Sequence, residues 1–512
     1  MKKHIKNLVV LAAGLVMGIT SCSEKLELAP VSSISDANYW QTPDQFDAFV
    51  TGVHSRFRSH NGTFLTLGEL RADIYGTEPG SSASFTGEAS QGLERLWLHT
   101  LDLDNAGVSN YGGFYANINQ LNLLINKLNT TNVVTEANKN YYLGIGYGMR
   151  AFYYFQLLRT WGAVVIQTEP VIAIDIANLA KPAASPEEVM ELIKADLDKS
   201  LASFGPNYTF RQSKSFWSKP ASLMLKAEVY LWTSHRGGAA AEAIIAKEAL
   251  TDIKTNVTGL RLLPSFADVF AANNKGNAEI IFASRYLLNE ASQAFIANSF
   301  VPQSGLIANF YDSLENRQFN VTADNWGGLL RAPVRVSTFR KFKDQDSRKR
   351  ASIQAAYQKV AGNYAIAGAF VKKFAGEQNA GSRQYTNDFP IYRYADLLLL
   401  LAEAKLVLGE DPAAEINEVR ARAYGAAYNP AVLGYPHQPV DADPREALLQ
   451  ERLLEFIFEG KRWYDLRRMG DNFVYAHTTL SPTEAYKLLW PIDRNSLTNN
   501  RALEQTPGYA TF

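Results

Sequence analysis

The chain has 512 residues, with 51 Lys and Arg balanced by 51 Asp and Glu, and 46% of its residues are hydrophobic. That length holds one large domain or two ordinary ones. The balanced charge leaves no basic footprint for nucleic acid, and a single cysteine excludes an internal disulfide.

The first element is a leader. Lys2, Lys3 and Lys6 precede the apolar run Leu8–Met17, and Gly18-Ile-Thr-Ser21 leads directly to Cys22. The run is too short to span a bilayer comfortably and has the three-part layout of a secretory signal over residues 1–21. A lone cysteine at that point resembles a bacterial lipobox, which makes Cys22 the expected lipidation site; a free buried cysteine after an ordinary signal is the alternative. Buried acyl chains contribute roughly 0.8 kcal/mol per CH₂, so more than one chain holds a protein on a membrane without a spanning helix. No later run of eighteen apolar residues follows. Residues 22–35 read as a lipidated tether.

Helix starts come next. Thr42-Pro43-Asp44-Gln45, Ser185-Pro186-Glu187-Glu188, Asp443-Pro444-Arg445-Glu446 and Ser481-Pro482-Thr483-Glu484 each offer a capping side chain, a proline at the first helical position and an acid or amide that reaches back. Apolar periodicity predicts helices over about 43–60, 108–129, 135–161, 185–203, 218–235, 239–255, 391–408, 411–424, 443–468 and 481–489. Their pairing is tetratricopeptide-like, without a clean 34-residue period. Gly144, Gly146 and Gly148 interrupt the 135–161 pattern, so that helix is expected to start late or to pack unusually close to a neighbour. Between about 256 and 389 the texture turns to Gly, Asn, Ser and short β-prone runs such as Glu279–Ser284. The expectation is a mostly α protein whose scaffold, 36–255 and 390–512, carries a loop-rich insert and forms a single domain over 36–512.

Several stretches then carry a family resemblance. Tyr39-Trp40 before Thr42-Pro43, Tyr115–Ile125, Arg150–Gly162, Pro390–Ala404, Glu451–Arg468 and the ending Trp490-Pro-Ile-Asp493 with Gln505-Thr-Pro-Gly-Tyr509 follow the order of the SusD/RagB family. Leu26-Glu-Leu-Ala-Pro30 is similar to its post-lipid element, and acidic character after Cys22 resembles surface-export tags of Bacteroidetes lipoproteins. The resemblance implies a SusD-like helical scaffold with a partly irregular ligand-binding face. It also implies an outer-membrane, lipid-anchored protein facing the cell exterior, which captures oligosaccharide for a SusC-like TonB-dependent transporter. A RagB-like peptide-binding protein, a surface glycosidase and a purely structural assembly subunit are the competing readings.

The residues give little support to catalysis. The sequence has no His-x-x-x-His pair, no Gly-x-Ser-x-Gly elbow and no phosphate loop. Glu451, Glu455 and Glu459 recur every four residues beside Arg452, Arg462 and Arg467, a spacing that suits ion pairs between helices better than acid–base chemistry. Arg393, Asp396 and Glu403 fit the same reading. Asp344-Gln-Asp346-Ser-Arg348 starts like a calcium loop but lacks its glycine and distal glutamate. No cofactor is expected; the family leaves room for a structural calcium that this segment does not support.

Sugar rings present apolar faces and hydroxyl rims, so a glycan site needs aromatic platforms with polar neighbours. The family's ligand face maps to 74–112 and about 286–345, whose aromatics include Tyr75, Phe85, Trp97, Tyr111, Phe295, Phe300, Phe310, Tyr311 and Trp326. Trp97 and Trp326 are the leading candidates, then Tyr311, with Tyr75 and Phe85 behind. Asp73, Asn325 and Arg331 are the candidate polar partners.

Overall fold

The computed structural model describes residues 39–77, 85, 90–107, 111–172 and 180–511. Cys22, the leader and the tether lie outside them. Eleven helices of eight residues or more are present among the described residues: α1 Pro43–Ser59, α2 Asn61–Glu69, α3 Tyr111–Thr130, α4 Glu136–Trp161, α5 Pro186–Phe204, α6 Lys219–Thr233, α7 Ala239–Asn256, α8 Tyr394–Val407, α9 Ala413–Tyr424, α10 Pro444–Phe456 and α11 Arg462–Met469. Sequential neighbours pack in pairs, α4 on α5, α6 on α7 and α8 on α9, and α7 also meets α8, which joins the two halves of the scaffold. One contiguous apolar cluster reaches from Phe46 to Leu503.

The capping boxes at Thr42 and Ser185 form as their spacing predicts, whereas Glu446 turns to His477 and Glu484 to Lys487. Ser185 Oγ accepts the Glu188 N–H at 3.2 Å, and Glu188 Oε2 accepts the Ser185 N–H at 2.8 Å. Asp443 Oδ1 accepts the Arg445 N–H at 2.8 Å, and Ser481 starts a 3₁₀ turn over Pro482–Leu488 where an α-helix was expected. α4 runs unbroken through its glycines because they are contact points. A Cβ on Gly144 would lie 2.7 Å from the Phe204 ring, and one on Gly148 would lie 2.2 Å from Trp217 Nε1. Gly144 O accepts the Ser200 hydroxyl at 2.7 Å, and Trp217 Nε1 donates to Ser222 Oγ at 2.8 Å, so α4, α5 and α6 meet over a hydrogen-bonded seam.

Two boundaries differ from the periodic reading. Residues 391–393 belong to a strand, β8 Phe389–Arg393, paired antiparallel with β1 Ile280–Ser284 and buried throughout. The 443–468 pattern is two helices, broken where Phe458 takes φ 71° and Gly460 φ 72°. Glu69 fixes that break from α2, accepting the N–H groups of Phe458 and Gly460 at 2.7 Å each. The loop-rich insert contains short helices and a four-stranded antiparallel sheet in the order β3 (Arg317–Gln318), β2 (Tyr311–Asp312), β4 (Ile353–Val360), β5 (Asn363–Val371). A two-stranded ribbon, β6 Glu377–Asn379 with β7 Ser382–Gln384, follows it.

Under α8, α9 and α10 lies a buried ionic lattice. Arg393 reaches Glu455 at 2.6 Å, Glu279 at 2.8 Å and Glu459 at 2.8 Å. Arg422 pairs with Glu279 and Glu455, Arg348 with Glu451 and Asp346, and Lys373 with Glu459. A second group joins Arg452 and Lys461 to Asp396, and Arg468 to Glu403 and Asp465. Every carboxylate in the Glu451–Glu459 series is thus held by guanidinium or ammonium groups. The role is structural, as the spacing suggests. Asp346 is likewise taken up by Arg348 and by the N–H that opens the short helix Ser347–Ser352.

Candidate functional site

The two segments expected to form the ligand face meet α1 and α2 along an open groove. One cavity of about 610 Å³ lies between Ser55, Ser59, Thr63 and Thr66 on the helices and Phe295 and Asn298 on the 286–300 segment, with Leu93 at its margin. A second, of about 350 Å³, shares Ser55 and Arg58 with it and continues toward Gln212 and Phe216.

The walls are fixed from within. Tyr286 OH donates to Arg58 O at 3.2 Å and accepts from Asn61 Nδ2 at 3.0 Å, while Ser284 Oγ donates to Asn61 Oδ1 at 3.1 Å. Burial pushes the Tyr286 phenol up to about 12, so it stays a donor at neutral pH. Arg58 Nη1 spans the groove to Arg285 O at 2.8 Å and Glu290 Oε1 at 2.7 Å. His54 sits behind the second cavity, its Nδ1 2.7 Å from Val50 O and its Nε2 accepting the Trp217 N–H at 2.9 Å. Burial takes that imidazole down to about 4, so it is neutral.

The half-buried Phe295 ring stands edge-on to Phe389, with centroids 5.8 Å apart, and packs over Gly62, where a Cβ would come within 3.0 Å. Gly62 therefore lets α2 approach the ring. Around it the groove carries hydroxyl and amide groups, and those of Ser55 and Asn298 have no hydrogen-bond partner among the described residues. An apolar ring face beside unpaired polar groups is the chemistry that a pyranose requires.

The residues favoured by sequence fall elsewhere. Trp97 is 4% exposed at the end of the short helix Glu94–Trp97, and its ring has no free face. Trp326 is 5% exposed, with its ring 5.1 Å from Phe370 and the Arg383 guanidinium 4.4 Å from it. Tyr75 is fully buried and donates to Glu69 Oε1 at 3.1 Å. Asp73 accepts from Arg462 Nε at 2.8 Å and Lys341 Nζ at 2.7 Å; burial alone would raise its pKa, but Arg462, His477 and Lys341 together outweigh it and hold the carboxyl well below the usual range. Asn325 binds Ser304 Oγ at 2.5 Å and Gly381 O at 3.0 Å, which anchors the Trp326 loop. Arg331 is half-buried with its Nε unpaired. Phe85 is half-buried against Phe310 and Gly368. Tyr311 lies on the four-stranded sheet, outside the groove. Tyr286, Phe295 and Phe300 are the loop aromatics that do line it. Ser55, Thr63 and Thr66 had no sequence signal, because small polar residues on one helix face read as ordinary surface.

The profile described as "SusD family" matches residues 305–509, and one described as "Starch-binding associating with outer membrane" matches 73–231. A solved SusD superfamily protein from Bacteroides vulgatus is 41% identical, covers 92% of this chain and all of its own, and superposes with a TM-score of 0.85. The chain belongs to the SusD family. The structure titled B. fragilis NanU is 44% identical over 94% of this SusD-family chain and 100% of its own, with a TM-score of 0.88. Among curated relatives, SusD-like protein P38 of Formosa agariphila is 26% identical over 99% of this chain and all of its own length. Family membership accounts for the mostly α scaffold.

Proposed function

We propose that this SusD-family protein is a cell-surface glycan-binding lipoprotein, which captures oligosaccharide in the α1–α2 groove and passes it to a TonB-dependent outer-membrane transporter. The observation that carries the reading is the groove's chemistry: a half-buried phenyl ring, Phe295, beside the unpaired polar groups of Ser55 and Asn298. The profile described as starch-binding and outer-membrane-associated supports it. In this reading residues 1–21 are removed, Cys22 takes the lipid, residues 22–35 tether the protein, and 36–512 act as one binding domain oriented to the exterior.

The carboxylates support binding over cleavage. Glycoside hydrolysis needs two carboxyl groups facing each other across the bond. Among the described residues that line the two cavities the one acid is Glu290, which is paired with Arg58. An open, wet groove of this kind binds at micromolar to millimolar strength, roughly −4 to −8 kcal/mol, which allows release to a transporter.

Calorimetry of the purified mature protein against polysaccharides, oligosaccharides and peptides tests the reading. The expected result is heat from one glycan class with no new reducing ends. Phe295→Ala should weaken that binding about tenfold, or ~1.4 kcal/mol, in a protein that stays folded with a lowered thermal midpoint. Heat from peptides alone would replace glycan with peptide; release of reducing ends would make the protein an enzyme.

A further inference from the structure

A second aromatic surface lies on the four-stranded sheet. Tyr311 on β2 is registered opposite Tyr357 on β4, and Lys359 on β4 opposite Tyr364 on β5. Alternation along β4 places Tyr357 and Lys359 on one face. The Tyr364 ring lies 6.0 Å from Tyr311 and 6.1 Å from Tyr357, so it leans across β4 to meet both. Its hydroxyl donates to Asn316 Oδ1 at 2.6 Å, beyond the far side of β2. The Lys359 ammonium stands 4.7 Å from the Tyr311 ring centre and 5.2 Å from that of Tyr364.

This cluster is not core. The three tyrosines are half-buried, Lys359 and Asn316 are exposed, and burial along β4 and β5 fades toward their shared turn. Among the described residues, cross-strand contacts and the Tyr364–Asn316 hydrogen bond hold the rings of this hairpin. Three phenol rings with their hydroxyls, one ammonium and one amide make a surface with both apolar faces and hydrogen-bonding rims. An exposed cation–π contact is weak enough for a sugar face to displace the ammonium, which keeps its donors for the sugar hydroxyls.

The sheet also links this face to the groove. Val371, at the end of β5, donates its N–H to Phe300 O at 3.2 Å, and Phe300 lines the groove. Tyr364 lies seven positions before Val371 on β5, about 23 Å at strand spacing. We propose that the Tyr311–Tyr357–Tyr364 face is a second carbohydrate subsite, which binds a more distant stretch of the same glycan chain whose end lies in the α1–α2 groove. The inference rests on the glycan reading of the groove. Two weak contacts on one polymer raise its overall affinity without strengthening either contact, because the second binding is intramolecular. Short oligosaccharides gain nothing from the second face.

The experiment compares the wild-type protein with the double variant Tyr357→Ala, Tyr364→Ala. Its probes are a panel of neutral and acidic polysaccharides, starch and laminarin among them, each paired with its own trisaccharide. The expected result is a fall of about tenfold or more in polymer affinity with trisaccharide affinity unchanged, the latter also reporting that the groove is intact. Unchanged affinity for both lengths overturns the second subsite and leaves the groove reading standing. An equal loss for both lengths also overturns it, since no length-dependent contact would have been removed. A wild-type protein that binds no polysaccharide overturns both readings.

Discussion

Gly148 marks a place where a single hydrogen atom decides how three helices meet. Its missing Cβ leaves room for Trp217 Nε1, Ser222 Oγ and Ser200 Oγ, each of which a methyl group would approach within 2.9 Å. In an exposed helix Gly→Ala gains up to about 1 kcal/mol; here overpacking costs about 1–3 kcal/mol and reverses the sign. Gly148→Ala should therefore lower the urea midpoint, and a raised midpoint would show that the seam yields. The same residue shows how far a sequence carries. Three glycines in a helical pattern announce close packing or a late start, and only the partner, Trp217, chooses between them. Ring type misled in the same way. Trp97 and Trp326 rank first as sugar platforms by chemistry, yet both are almost wholly buried, while the half-exposed Phe295 faces the groove. Exposure is a property of tertiary contacts, and a residue's type does not contain it.

Helices were legible wherever their signals were local. The Ser185–Glu188 box and the Asp443 cap lie within four residues of what they satisfy. The strand at 389–393 was not, because its reason for being a strand is β1, more than a hundred residues away. Nor was the break at 457–461, where Glu451, Glu455 and Glu459 keep a helical spacing through a segment that stops being helical after Phe456. These acids follow the ionic lattice instead. Glu455 accepts from Arg348, Arg393 and Arg422, which outweigh the burial that would raise its pKa and hold it below the usual range. Removing one partner of a buried set leaves its counter-charges unpaired, at a cost of about 3–5 kcal/mol. Glu455→Gln should lose stability on that scale in denaturant titration, whereas Glu410→Gln, on the exposed Lys247–Glu410 pair, should change it by less than about 1 kcal/mol. Equal effects at the two positions would refute the structural weight assigned to the lattice.

Across the whole molecule the buried titratable groups make stability depend on pH in one direction on the acid side. Burial lowers His54 and His60 to about 4, with Arg56 adding to the effect at His60, and burial and Arg71 take His99 to about 2. All three are neutral in the folded state and ordinary imidazoles when unfolded, so below about pH 6.5 the unfolded chain binds more protons and stability falls. Glu69, pushed up to about 8 by burial, opposes this, as do Asp196 and Asp388, which burial also raises. Below about pH 4.5 the carboxylates held low by cations add to the loss: Asp73, Asp396, Glu403, Glu455 and Glu459 contribute stability above their unfolded values that disappears as pH falls through their folded ones. The urea midpoint should therefore decline from pH 6.5 to 5 and more steeply below 4.5. His54 isolates one proton of that slope, since its fall to about 4 corresponds to ~3 kcal/mol at full protonation of the unfolded chain. Gln at this position can still donate to Val50 O and accept from the Trp217 N–H. His54→Gln should thus flatten the decline between pH 6.5 and 4 by that amount; a variant whose pH profile parallels the wild type would mean that His54 is protonated inside the fold.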